Sequence, residues 1–338
     1  MNTALPIEKE ERPPAMRKMR PPNLLLTVLG PFIGLALVVG LFSSMPEVRP
    51  YFLTGANFKI IFIQTVIVAI GALGMTLIVI SGGIDLSVGS VIALTSVVAA
   101  ILLTQNFSPF LVVLLAILAG GVIGSINGAM VAGFRMMPFI VTLGMMGIAR
   151  GIAKWLAKSQ PVNAPESSIN NWMALNDPDH FFPLPPGVWI AIGLACLMSL
   201  VMRRTVFGRY VFAIGSNEAA ARLCGIRVQW QKVAIYALAG LFFGLAGLLQ
   251  LSRLTQGDPT IAIGLELDII AAVVIGGASL NGGTGSILGS MIGALIMAVL
   301  RNGSNQMGLP TYMQEILIGF VIILAVGLDK LRQRRAAT

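Results

Sequence analysis

Apolar residues in this chain come in long runs separated by short polar breaks. Ten runs stand at 24–43, 58–80, 87–104, 109–133, 138–157, 188–202, 232–251, 262–279, 285–300 and 312–328. A helix needs about 20 predominantly apolar residues to cross a bilayer core. The runs predict an all-α fold, a polytopic membrane helix bundle of about ten transmembrane helices. The fifth run contains Arg150 and Lys154, and the eighth opens with Glu266 and Asp268. Both are expected to be broken or partly exposed helices.

Composition supports the pattern. Of 338 residues, 56% are hydrophobic and 11% charged, against roughly 25% charged in a soluble domain. A water-facing surface cannot be covered with so few charges. The polar start, with Arg17, Lys18 and Arg20, resembles the charged region of a signal peptide. The apolar run after it is too long for one, and Ser43-Ser44-Met45 is a poor cleavage site, so an uncleaved first helix is expected.

Basic residues set the orientation, because Lys and Arg are retained on the cytoplasmic side. With the N-terminus inside, 16 of the 23 basic residues fall in cytoplasmic segments. The exceptions are Arg49, Lys59, Arg150, Lys154, Lys158, Arg253 and Arg301, several of them at helix ends where they can snorkel. The N- and C-termini are then both cytoplasmic. The net charge of +9 follows from topology and gives no sign of nucleic acid. The chain divides into a cytoplasmic tail (1–22), a transmembrane domain (23–329) and a basic cytoplasmic tail (330–338). Two long loops interrupt the domain: a polar, Pro-rich external one at 159–186 and a basic cytoplasmic one at 203–232.

Two Gly-rich breaks echo each other, Ile80-Ser-Gly-Gly-Ile-Asp-Leu-Ser-Val-Gly-Ser and Ile275-Gly-Gly-Ala-Ser-Leu-Asn-Gly-Gly-Thr-Gly-Ser. Transporters often carry internal repeats with interrupted helices near the substrate path; convergent turn chemistry gives the same look. Backbone polar groups cannot be left unpaired against lipid. Gly82, Gly83, Asp85 and Ser87 are therefore either a lining of a solute path or a helix cap and turn, with Ser87 a suitable N-cap. The second break, around Asn281, holds no charge and no P-loop string Gly-x-x-x-x-Gly-Lys-Ser/Thr. Energy for pumping would have to come from a partner.

In the cytoplasmic loop, Ser216 is placed to N-cap a short helix and Gly225 to end it. Between them, Glu218 lies in the first turn, where the helix dipole favours it. Ala219, Ala220 and Leu223 share a face. So short a helix is marginal alone and should dock, on a cytoplasmic subunit or on its own membrane domain.

Polar residues in the helices are few, among them Asn127, Gln250 and Asn305. Each is either a path-lining group or an interhelical hydrogen-bonder. Glu266, Asp268 and Glu315 fall near span ends, so no buried relay for a coupling ion is expected. The Gly-x-x-x-Gly spacings from Gly120 to Gly128, Gly240 to Gly244 and Gly285 to Gly293 permit close helix packing, within the subunit or between copies. Cys196 and Cys224 belong to different layers and are not expected to pair, and the single His180 makes no metal site.

These strings together resemble the ribose-type, monosaccharide permease family of bacterial ABC importers. The resemblance rests on Ile80–Ser90, Ala213–Ile226, Gly264–Gly277 and Asn281–Gly289, within about residues 57–328. It implies a multi-pass permease subunit of the bacterial inner membrane that is not itself an enzyme. Such permeases work in pairs, as homodimer or heterodimer. A cytoplasmic ABC ATPase carrying ATP-Mg drives them, and a periplasmic solute-binding protein delivers the solute. The permease chain binds no cofactor. The resemblance makes Gly215, Ser216, Asn217, Glu218, Ala219, Ala220, Leu223 and Gly225 the coupling helix, and 159–186 a contact for the binding protein. Three alternatives remain: an ion-coupled secondary transporter, a branched-chain amino-acid ABC permease, and a membrane scaffold without transport.

Overall fold

A computed structural model describes residues 24–174 and 184–337. His180 and part of the external loop lie outside the described residues, as does the N-terminal tail.

The described chain is a helix bundle. In order it comprises α1 (Leu24–Ser44), α2 (Arg49–Phe52), α3 (Gly55–Ile80), α4 (Val88–Thr104), α5 (Pro109–Gly133), α6 (Pro138–Leu156) and α7 (Pro186–Arg204). There follow α8 (Val206–Ser216), α9 (Glu218–Leu223), α10 (Val228–Leu254), α11 (Leu265–Ile275), α12 (Ile287–Gln306) and α13 (Thr311–Ala337). One antiparallel pair, β1 (Val162–Asn163) with β2 (Gln256–Gly257), joins the loop after α6 to the end of α10.

Helix α3 is the axis of the fold. Almost every residue from Ile63 to Ile80 is buried. Around it stand α7, α10, α11 and α12, while α4 and α5 pack on α10 from outside. Helix α1 lies on α12, α6 on α4 and α13 on α11. Side chains this apolar are no obstacle to burial on all sides, and small residues let the backbones close in. A methyl added to Gly120 or Gly124 of α5 would run into the backbone of α10 at Gly240, Gly244 and Tyr236. Gly289 and Gly293 of α12 stand in the same relation to Gly276 and Ala272. The Gly-x-x-x-Gly runs thus serve packing inside the subunit.

Among the described residues, six helices are long and apolar enough to cross a membrane: α3, α5, α6, α7, α10 and α12. Shorter apolar stretches occupy 29–44, 88–104 and 311–324. The chain is a multi-pass membrane protein. Three of the expected spans take a definite form. The fifth run forms one unbroken helix, α6, and of the two expectations for it the partly exposed one holds, with Lys154 exposed. The eighth, 262–279, is not one continuous helix: its helix, α11, has 11 residues, about 16 Å of rise, roughly half a bilayer core. The final helix does not stop at 328 but continues to Ala337, because nothing in the basic tail breaks it.

Candidate functional site

The two Gly-rich breaks end α3 and α11 with one backbone device. After α3, Gly82 N–H donates to the Val79 carbonyl at 3.0 Å and Gly83 N–H to Ile78 at 2.9 Å. After α11, Gly277 N–H donates to Val274 at 2.9 Å and Ala278 N–H to Val273 at 3.1 Å. Gly82 (φ 82°) and Gly277 (φ 91°) take the left-handed position that such a helix end requires. The echo in sequence is an echo in backbone.

The breaks also meet. Gly283 N–H donates to the carbonyl of Ile80 at 2.8 Å. Gly82 lies against Gly282, and Gly215 packs between Ile80 and Gly283 so closely that a methyl there would overlap both backbones. Three segments distant in sequence thus form one joint made of main chain alone. Asn281 lies at its exposed side, with its N–H donating to Ser279 Oγ at 3.2 Å.

From Gly215 the chain passes into the short helix. The loop 203–232 is not open coil: α8 fills its first half, and Asn217 alone separates α8 from α9. The N-cap is Asn217, whose Oδ1 accepts from Ala220 N–H at 3.0 Å; Ser216 is the last residue of α8. Gly225 ends α9 at φ 83°. Ala221 seals α9 against Ile214 and Val228. Ala219, Ala220 and Leu223 face outward, Leu223 at 90% exposure. Glu218 accepts from Arg222 at 2.6 Å and from Lys232 at 2.7 Å. Partial burial disfavours its charge, but the hydrogen bonds and charges of Lys232 and Arg222 outweigh that and hold the carboxyl below its usual range. A shallow pocket of about 170 Å³ lies beside it, bordered by Arg135, Met136, Arg222 and Lys232.

Asp85 and Ser87 do not form a cap. Asp85 Oδ1 accepts from Ser87 N–H at 2.7 Å and Ser87 Oγ at 2.6 Å, leaving the α4 N-terminus without a side-chain cap. Asn127 Nδ2 on α5 donates to Asp85 Oδ2 at 3.3 Å and to Ser87 Oγ at 3.1 Å. All three residues are buried, as is Tyr236 of α10. Gly83 lies against the Tyr236 hydroxyl, and a side chain at 83 would displace it. Asp85, Ser87, Asn127 and Gly83 therefore come together. Gln250, half-buried on α10, and Asn305 do not join them. Asn305 accepts from Gln314 Nε2 at 2.7 Å at the far end of α12, where Gln306 Nε2 also donates to Asn57 at 2.8 Å.

Two features escaped sequence reasoning. Asp268 is buried rather than at a span end, because α11 begins inside the bundle. Arg301 of α12 holds it with Nε at 2.8 Å and Nη2 at 2.5 Å on one oxygen. The expected place of Asp268 near a span end is thus corrected, and Asp85 is buried as well. The second feature is Arg150, whose Nη1 donates to the carbonyls of Pro259 at 2.9 Å and Ile261 at 2.6 Å. An arginine in mid-run was the only available signal.

Comparison with known proteins places this geometry. Residues 57–326 match a protein-family model described as branched-chain amino acid transport system / permease component. The ribose import permease protein RbsC of Escherichia coli (strain K12) is 41% identical over 305 residues, covering 89% of this chain and 93% of the relative. RbsC of Bacillus subtilis (strain 168) is 39% identical over 303 residues, 89% and 92% of the two chains. The L-arabinose ABC transporter permease protein AraH of Azospirillum brasilense is 35% identical over 306 residues, 88% and 87%. No solved structure matches the chain significantly. The likeness runs through the breaks, the joint and the short helix alike, and the chain belongs to the ABC-importer permease family that includes the ribose import permeases.

Proposed function

We propose that the chain is the membrane subunit of an ABC importer for a monosaccharide or similar polyhydroxy solute. The single observation that carries this is identity of 34–41% to permeases named for ribose, L-arabinose and D-allose, along nearly their full lengths. Two copies, or this chain with a homologous one, enclose the path. A cytoplasmic ABC ATPase supplies ATP-Mg hydrolysis, and a periplasmic solute-binding protein supplies the solute. The protein sits in the bacterial inner membrane with both termini in the cytoplasm and ten passes, of which α11 with its preceding turn makes one.

In this reading the joint lies at the cytoplasmic end, and the outward face of α9 docks on the ATPase. The joint ties α9 to the ends of α3 and α11–α12 without side-chain slack, so displacement of α9 reaches both breaks. Asp85, Ser87 and Asn127 stand next to the first break and would feel that displacement.

A second reading, a branched-chain amino acid as the cargo, is favoured by the description of the family model. The test is ATP-driven uptake in proteoliposomes holding the chain with its ATPase and binding protein. Labelled ribose, arabinose, allose and leucine serve as cargo. Uptake of one sugar and not of leucine is expected. Leucine uptake would establish the second reading, and sugar uptake without ATP would overturn the importer mechanism.

A further inference from the structure

Between β2 and α11 the chain turns back into the bundle. Gly257 packs against Ser96 and Val97, halfway along α4, whereas Ala262 and Glu266 reach Gly89 in the first turn of α4. Residues 258–264 thus descend along half the length of a helix in the bundle. This backbone is irregular: Ala262 (φ 60°) and Gly264 (φ 80°) are left-handed. Two of its carbonyls are taken by Arg150, Thr260 N–H is taken by Asp258, and Gly264 N–H by Glu266 at 3.2 Å. Among the described residues, the amides of Ala262 and Ile263 donate to no protein acceptor. The side chains beside them are not covered: Thr260 is exposed and Ile263 is 73% exposed.

Hydrocarbon cannot accept hydrogen bonds, so each unpaired amide placed in it costs several kcal/mol. Irregular backbone at membrane depth persists only inside protein or along a water-filled cavity. The turn is not buried within its own subunit, since it is half exposed.

We infer that residues 258–264 form one wall of the aqueous solute path, with the amides of Ala262 and Ile263 offered to water and to the hydroxyl oxygens of a passing solute. Arg150 is the positioning residue that holds this wall. The assignment deepens the importer reading and rests on it for the solute, but not for the water.

The test is thiol accessibility in the full chain in membranes. Cys196 and Cys224, both free and exposed, are replaced by serine. Thr260→Cys, Ile263→Cys and, as a lipid-facing control in α5, Leu118→Cys (47% exposed as leucine) are then introduced singly. The probe is a charged, membrane-impermeant methanethiosulfonate applied from both sides. It reacts with the thiolate, which hydrocarbon suppresses. Modification of Ile263→Cys and Thr260→Cys about ten-fold or more faster than Leu118→Cys is expected. Rates equal to the control in chains that still elute as folded species would overturn the wall. Because neither ATP nor solute enters the assay, rapid labelling beside failed ATP-driven sugar uptake would sink the proposed function and leave the wall standing.

Discussion

The Asp268–Arg301 pair makes a quantitative prediction because its two ends differ in exposure. The Asp268 side chain is 2% exposed, the Arg301 side chain 35%. Replacing Arg301 with Met strands a carboxylate that cannot reach water and whose Oδ1 already has no protein partner. Breaking a buried pair from that side costs about 3–5 kcal/mol. Replacing Asp268 with Asn is milder: the amide oxygen still accepts from the guanidinium, and Arg301 can lean toward solvent. The loss is then near that of one charged hydrogen bond, about 1.5–3 kcal/mol. Replacing both, Asp268→Leu with Arg301→Met, leaves no orphan and should cost less than Arg301→Met alone. The assay is a double-mutant cycle of Asp268→Leu, Arg301→Met and the double variant, with Asp268→Asn measured beside it and unfolding in mixed micelles followed by SDS titration. A strongly non-additive cycle with Arg301→Met the worst variant is expected. Additive costs, or Arg301→Met no worse than Asp268→Asn, would refute the reasoning: the first requires that the pair contributes little, the second that leaving Asp268 unpaired is harmless.

Other outcomes follow from the same geometry. Gly215→Val should abolish uptake and lower the amount of folded protein, because its side chain overlaps the Ile80 and Gly283 backbones; Leu223→Ala, on the open face of α9, should leave folding intact and reduce ATPase co-purification. Glu218 has a depressed carboxyl value. Its ion pairs therefore stabilise α9 fully above about pH 4.5, its ordinary value, and the contribution disappears as pH falls through the lower folded value. Hydrogen exchange of α9 amides should rise across that acid window in the native chain and show no such step in Glu218→Gln. Arg150→Ala frees two carbonyls and should lower thermal stability by about 1.5–3 kcal/mol, against little change for the exposed Lys154→Ala.

Some of this was legible in the sequence. Gly-Gly after a long apolar run marks a helix end, and both breaks could be placed because the signal is local. Gly225 as the end of α9 was legible for the same reason. Helix α8 was hidden: Phe207 to Ser216 carries Gly208 and Gly215, which lower helix propensity, and tertiary packing of Val211 and Ile214 overrides it. The eighth run misled because hydropathy records composition and not hydrogen bonding; Ala262 and Ile263 read as span although their backbone is a turn. Asp85 meeting Asn127, 42 positions away, leaves no trace in spacing. Arg150 looked like an outlier of topology because its partners are carbonyls, which every residue has.

The main-chain joint at Gly215, Gly82 and Gly282 has an evolutionary consequence. A contact between side chains drifts readily, since one partner can shrink while the other grows. Backbone against backbone has no such freedom, and the joint admits few variants at any of its three strands. The outward face of α9, a few residues away, carries no such restriction at Ala219, Ala220 and Leu223. Under the proposed function, in which α9 docks on the ATPase, selection can therefore rewrite what the helix recognises while leaving untouched the joint behind it. Relatives that diverge in their soluble partners should differ in those outward positions first and in the joint last.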